Sequence, residues 1–188
     1  MTAPRRPVLY AIGCGSPPTR HLDRLVALGQ ADGWEVCVVL TPDGRKFADE
    51  PALARQTGHP VRFTYKNPGE PDVLPAPDAM IVGPATVNTV NKWAAGITDT
   101  LALGLLVEGQ AKGLPIVAMP YTNTVMATHP AFLAGLDRLR DWGIRVVFGE
   151  AVLPLPLPGD GQRQAEHFPW ARGLAELRTR RPAGARSG

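Results

Sequence analysis

Cysteine and histidine are scarce in this chain of 188 residues, and aromatic residues make up only 6%. The two cysteines, Cys14 and Cys37, are too few for a disulfide framework, and no Cys or His spacing suits a metal, so none is expected. No apolar run approaches the roughly 20 residues that span a bilayer. The apolar segment 8–12, behind a basic N-terminus, is too short for a signal-peptide core, and the expected location is the cytoplasm. A strong excess of charge of one sign is missing as well. The formal net charge is +3, but Arg5, Arg6, Arg178, Arg180, Arg181 and Arg186 lie in the two tails, and without these six the body carries −3. A nucleic-acid binder would show a basic stripe with aromatics between, and there is none. Neither nucleic acid nor membrane is expected as a partner.

What is present is a hydrophobic fraction of 44%, enough for one domain with a sizeable core. Apolar runs alternate with segments of helical spacing. Strands are expected at 8–12, 35–40, 61–65, 79–82, 115–119 and 144–148. Helices are expected at 19–32, 45–49, 51–56, 98–111, 130–142 and 164–177, with a further one starting at about Asn88 and Thr89. Leu133, Leu136 and Leu139 are expected to face inward from the helix that Pro130 starts, and Asp99 to cap the helix that follows it. This alternation predicts a single-domain α/β protein: a Rossmann-like (flavodoxin-like) three-layer sandwich on a parallel sheet of about six strands. The domain is expected to run over 8–178, between a flexible tail at 1–7 and a basic flexible tail at 179–188. Its Pro/Gly-rich stretch 150–163 is expected to form a flap or loop.

Ligands of such sheets bind beyond the carboxyl ends of the strands. Four polar loops leave that edge: Gly13-Cys14-Gly15-Ser16, the loop opened by Thr41, the stretch from Pro84 to Thr89, and the loop from Pro120 to Met126. The first has small residues that let backbone amides approach an anion. It lacks both the GxGxxG spacing and a Walker lysine. Thr41, not an acidic residue, closes the second strand, which favours a mononucleotide over a dinucleotide. Pro84, Ala85, Thr86, Asn88 and Thr89 bring hydroxyls, a carboxamide and free N–H groups to the mouth of a helix, the arrangement that holds a phosphate with few charges. Asn88 and Thr89 also suit helix capping. Asn88, Asn91, Lys92 and Ala95 share a helical face. Asn123 suits either an Asx turn or the binding of a carboxylate or a flavin edge.

The stretch 84–99 resembles the central motif of the homo-oligomeric flavin-containing cysteine decarboxylases, Pro-Ala-Ser/Thr-x-Asn-Thr-x-x-Lys-x-Ala-x-Gly-x-x-Asp, and matches it without a gap. That family includes the lantibiotic peptidyl-cysteine decarboxylases and phosphopantothenoylcysteine decarboxylase. Its second motif, Pro-x-Met-Asn-x-x-Met-Trp, is matched at Pro120, Asn123 and Met126, while Thr122 and Ala127 depart from it. The resemblance implies FMN as cofactor, held by Gly13, Cys14, Gly15, Ser16, Thr41, Pro84, Ala85, Thr86, Asn88 and Thr89. It implies a homo-oligomer, trimer or dodecamer, and oxidative decarboxylation of a peptide's C-terminal cysteine or another thiol-bearing carboxylate, with Asn123 and Met126 at the substrate. Two departures stand out. The family's histidine position, fourteen residues ahead of Pro84, is Glu70, and the 150–160 stretch has no cysteine. The second departure argues against coenzyme A biosynthesis. The candidate replacement bases are His59, Glu70, His21 and His129, with His59 and Asn123 taken as the catalytic pair. The alternative is an FMN-binding protein, or another FMN oxidoreductase, without decarboxylase activity.

Overall fold

The first strand shows how the layers arise. Along Val8–Gly13 (β1), Val8, Tyr10 and Ile12 face one apolar cluster while Leu9 and Ala11 face another. A strand alternates sides every residue, so a run that is apolar throughout must be covered on both faces. The structure, a computed structural model, describes residues 5–178. The strands that follow are Glu35–Leu40 (β2), Ala79–Ala85 (β3), Ile116–Pro120 (β4) and Arg145–Val146 (β5). They form one parallel sheet in the order β2-β1-β3-β4-β5. The helices are Leu22–Ala31 (α1), Glu50–Thr57 (α2), Val87–Ala94 (α3), Leu101–Ala111 (α4), Pro130–Asp141 (α5) and Trp170–Arg178 (α6). Helices α3, α4 and α5 cover the Tyr10 face, and α1, α2 and α6 cover the Leu9 face. This is the three-layer, flavodoxin-like sandwich expected. Among the described residues no helix is long and apolar enough to cross a membrane.

Four expectations are corrected. The sheet has five strands, not about six: segment 61–65 meets β2 only through a bridge between Val39 and Arg62. Tyr65 turns away to α4, where its hydroxyl donates to the Thr98 carbonyl at 3.1 Å and its ring lies so close to Gly104 that a Cβ there would overlap it. The last strand shrinks to two residues. The cap of α4 is Thr100, whose hydroxyl accepts from the Leu103 amide at 3.3 Å, while Asp99 pairs with Lys92 at 2.5 Å. On α5 the inward residues are Phe132, Leu136 and Leu139, one helical stripe, and Leu133 falls off it at 45% exposed. Of the expected N-terminal tail, Arg5 pairs with Asp78 at 2.8 Å, and the Pro7 carbonyl accepts from the Glu35 amide. The expected C-terminal tail, 179–188, lies outside the described residues.

Between β1 and β3 the strand order reverses: the chain goes to one side of β1 for β2, then crosses to the other. The loops leaving the two strands diverge there and open a crevice at the carboxyl edge.

Candidate functional site

The crevice is a cavity of about 580 Å³. Its walls come from the loops after β1, β2, β3 and β4, the start of α4, and the 156–162 stretch. The first two loops interlock. A Cβ on Gly15 would stand 2.6 Å from the Asp43 Cβ, and one on Gly44 would stand 2.6 Å from the Gly13 carbonyl oxygen. The Thr41 amide donates to that same oxygen at 2.9 Å, and its hydroxyl accepts from the Gly44 amide at 3.1 Å. Glycine is required here because backbone packs against backbone.

The third wall is the start of α3. Its cap is Thr86, in extended conformation, whose hydroxyl accepts from the Thr89 amide at 3.2 Å and lies 3.0 Å from the Thr89 hydroxyl. Asn88 is therefore not the cap: it is exposed at the cavity wall. The amides of Val87 and Asn88 open the helix and have no intrahelical acceptor. Together with Ser16 and Thr41 they give the cavity a floor of donors. The charged side chains among the lining residues are Asp43 and Lys92. Asp43 pairs with Lys46 at 2.5 Å, and Lys92 is tied to Asp99. An anion placed here is held by dipoles and hydroxyls with one tethered ammonium nearby, and the N-terminal end of a helix favours it.

Of the ten residues named for the cofactor, Gly15, Ser16, Thr41, Thr86, Asn88 and Thr89 line the cavity. Gly13, Cys14, Pro84 and Ala85 do not: they form the layer behind it. Burial pushes the Cys14 thiol up to about 11, while hydrogen bonding to the Thr89 side chain and the Thr86 backbone pulls the other way. Cys14 thus packs beneath the Thr86–Thr89 turn. Asn123 and Met126 both line the cavity. The Asn123 side-chain oxygen accepts from the Met126 amide, three residues on, at 2.9 Å as a cap of the turn that follows, and this leaves its NH2 group as a donor.

His59 does not join them. Its ring nitrogen lies 2.9 Å from the Glu35 carboxylate at the first residue of β2, the amino edge of the sheet, opposite the cavity. The other proposed bases also lie off the wall. His129 accepts from the Ala131 amide as the cap of α5, and His21 precedes α1. Glu70 accepts from the Asn67 amide and carboxamide, which hold its carboxyl below the ordinary glutamate value. The sequence reading passed over Tyr121 and Thr122, Thr100 and Leu103 at the head of α4, and Pro156, Leu157, Gly159, Gly161 and Gln162. For that last group the signal was the density of proline and glycine after β5. For Tyr121 it was its place inside a loop already singled out.

A donor floor at a switch point, with a hydroxyl instead of a carboxylate closing β2, fits a phosphomonoester ligand. The cavity also falls in the usual size range of cofactor sites. The model of the family described as Flavoprotein matches residues 5–166, and the chain belongs to that family. The chain is 28% identical over 120 residues to the coenzyme A biosynthesis bifunctional protein CoaBC of Thermococcus kodakarensis, a match to 61% of this chain and 30% of that protein. It thus spans about a third or less of the length of the curated relatives it matches. Among solved structures it is similar to the FMN-dependent cysteine decarboxylase TvaF of thioviridamide biosynthesis. There the TM-score is 0.70 and the identity 21%, over 93% of this chain and 99% of that one. It is also similar to the epidermin biosynthesis protein EpiD of Staphylococcus aureus, with a TM-score of 0.62 and 27% identity over 74% of this chain and 80% of that one. The resemblance read from the 84–99 motif therefore holds at the level of family and fold.

Proposed function

We propose that this member of the Flavoprotein family binds FMN in the crevice and acts as an FMN-dependent decarboxylase of a thiol-bearing carboxylate, such as the C-terminal cysteine of a peptide. One observation carries the reading. Ser16, Thr41, Thr86, Asn88 and Thr89, from three loops, line the same cavity at the start of α3. In this reading they hold the phosphate, with Gly15 allowing the backbone to come close. The Asn123 NH2 donates to the substrate carboxylate or to the edge of the flavin, and Met126 covers the apolar side. FMN held there would supply the two-electron oxidation of the cysteine, whose oxidised form can then lose CO2. Leu157, Val125 and Met126 stand exposed, which fits a mouth completed by another copy of the chain in a trimer or dodecamer.

A second reading, FMN binding without decarboxylation, is favoured by Glu70 at the family's histidine position and by the engagement of His59 and His129 elsewhere. Two measurements decide. Purified or FMN-reconstituted protein should show flavin absorbance, and a colourless protein that takes up no FMN defeats both readings. Peptides ending in cysteine should lose the mass of CO2 and two hydrogens. Flavin binding with no turnover across a broad peptide set leaves the second reading standing.

A further inference from the structure

The roof of the cavity is the least anchored part of its wall. Between residues 151 and 164 Pro156 alone is buried. Leu157 is 63% exposed, and Gly159 turns the chain at a φ of +90°. Two hydrogen bonds tie this strap to the loop after β4. The Thr124 amide donates to the Pro156 carbonyl at 2.9 Å, and the Tyr121 hydroxyl donates to the Gly161 carbonyl at 2.6 Å. The two ends of the second bond differ in kind. Tyr121 is 5% exposed, its amide donates to the Ala85 carbonyl of β3, and its ring meets Phe168 edge-on at 5.8 Å. Phe168 in turn packs edge-on against Trp170 of α6 at 4.5 Å. Gly161 belongs to the exposed strap. A phenol rooted in the core therefore holds 156–162, whose own buried residue is Pro156 and whose approach is seated by the partly buried Val152 and Leu153. Burial pushes the Tyr121 hydroxyl upward in pKa, which keeps it a donor.

We infer that Tyr121 is a positioning residue for the strap: its hydroxyl latches 156–162 over the cavity and sets how often the cavity opens. The latch stands on geometry alone, and its consequence for cofactor release rests on the FMN reading above. Segments with few buried contacts open locally at low free energy, so one hydrogen bond is a large share of what closes this one.

Tyr121→Phe keeps the ring and removes the hydroxyl. Amide hydrogen exchange on the FMN-free full chain reads the latch through Thr124, whose acceptor lies on the strap. Its exchange should quicken about fivefold, the size of one net hydrogen bond, while β1 amides such as Ala11 keep their protection. FMN release from the loaded variant should quicken by a similar factor. Unchanged Thr124 exchange, or an equal loss of protection throughout β1, would overturn the latch. Faster Thr124 exchange with unchanged FMN release would overturn its control of opening. If the wild-type chain binds no FMN, the function proposed above fails and the exchange experiment still decides the latch.

Discussion

The floor and the roof of the cavity are built on opposite terms. The floor, Gly15 and Ser16 with the stretch from Thr41 to Gly44 and the start of α3, is locked to the backbone behind it: Gly44 meets the Gly13 carbonyl, Thr41 bonds to both, and Thr86 caps Thr89. The roof, 156–162, rests on two hydrogen bonds and one buried proline. A preorganised floor holds donors in place without ordering cost when an anion arrives. A lightly held roof lets a ligand in. Affinity for the phosphate should therefore belong to the floor, and exchange with solvent to the roof.

The largest effect expected from breaking this division is on the floor. Replacing Asn88 and Thr89 together with alanine removes polar groups from the wall proposed to hold the phosphate. Hydrogen bonds to charged groups contribute about 1.5–3 kcal/mol each. FMN affinity, read by fluorescence titration, should fall on the order of a hundredfold, and an unchanged affinity would detach the floor from the phosphate. Next comes Gly44→Ala, whose Cβ would crowd the Gly13 carbonyl oxygen. Overpacking of this kind costs about 1–3 kcal/mol, read as a lower midpoint in thermal or urea unfolding. A midpoint equal to wild type would mean that the two loops are free to part.

A smaller effect concerns the layer behind the floor. Burial raises the Cys14 thiol to about 11 and the Cys37 thiol to about 12. At pH 8 both are protonated and inaccessible, so iodoacetamide should label neither in the folded protein and both after unfolding. Rapid native labelling of Cys14 would put it on the cavity wall instead. The smallest effect belongs to His59. Its contact with Glu35 is partly exposed, so His59→Asn should change stability by about 1 kcal/mol or less and leave FMN affinity alone. A loss of flavin or of turnover in that variant would contradict its place at the far edge.

The same contrast decided what could be read from the sequence. The sheet edge was legible because strand, polar loop and helix follow one another in order, and the loops of one parallel sheet all leave at the same end. Ser16, Thr41, Thr86, Asn88 and Thr89 were found in this way. Cys14, Pro84 and Ala85 were legible as neighbours of the site, but the side of the loop each one faces depends on the pleat and the turn, which spacing along the chain does not fix. The 61–65 segment misled because its β-branched and aromatic residues suit a strand, while Tyr65 found partners distant in sequence, the Thr98 carbonyl ahead of α4 and Gly104 on it. His59 misled because a histidine is a base wherever it lies, and only the tertiary fold sets its ring against Glu35, the first residue of β2. The roof was visible as a proline- and glycine-rich stretch. Its attachment through Tyr121 to Gly161, 40 positions apart, leaves no local signal.

A crystal structure of the FMN-loaded chain tests the central claim most directly. The phosphate should lie within hydrogen-bond distance of the Ser16 and Thr86 hydroxyls and of the first amides of α3, with the flavin ring reaching toward Asn123. FMN bound elsewhere, or a phosphate held away from α3, would contradict it.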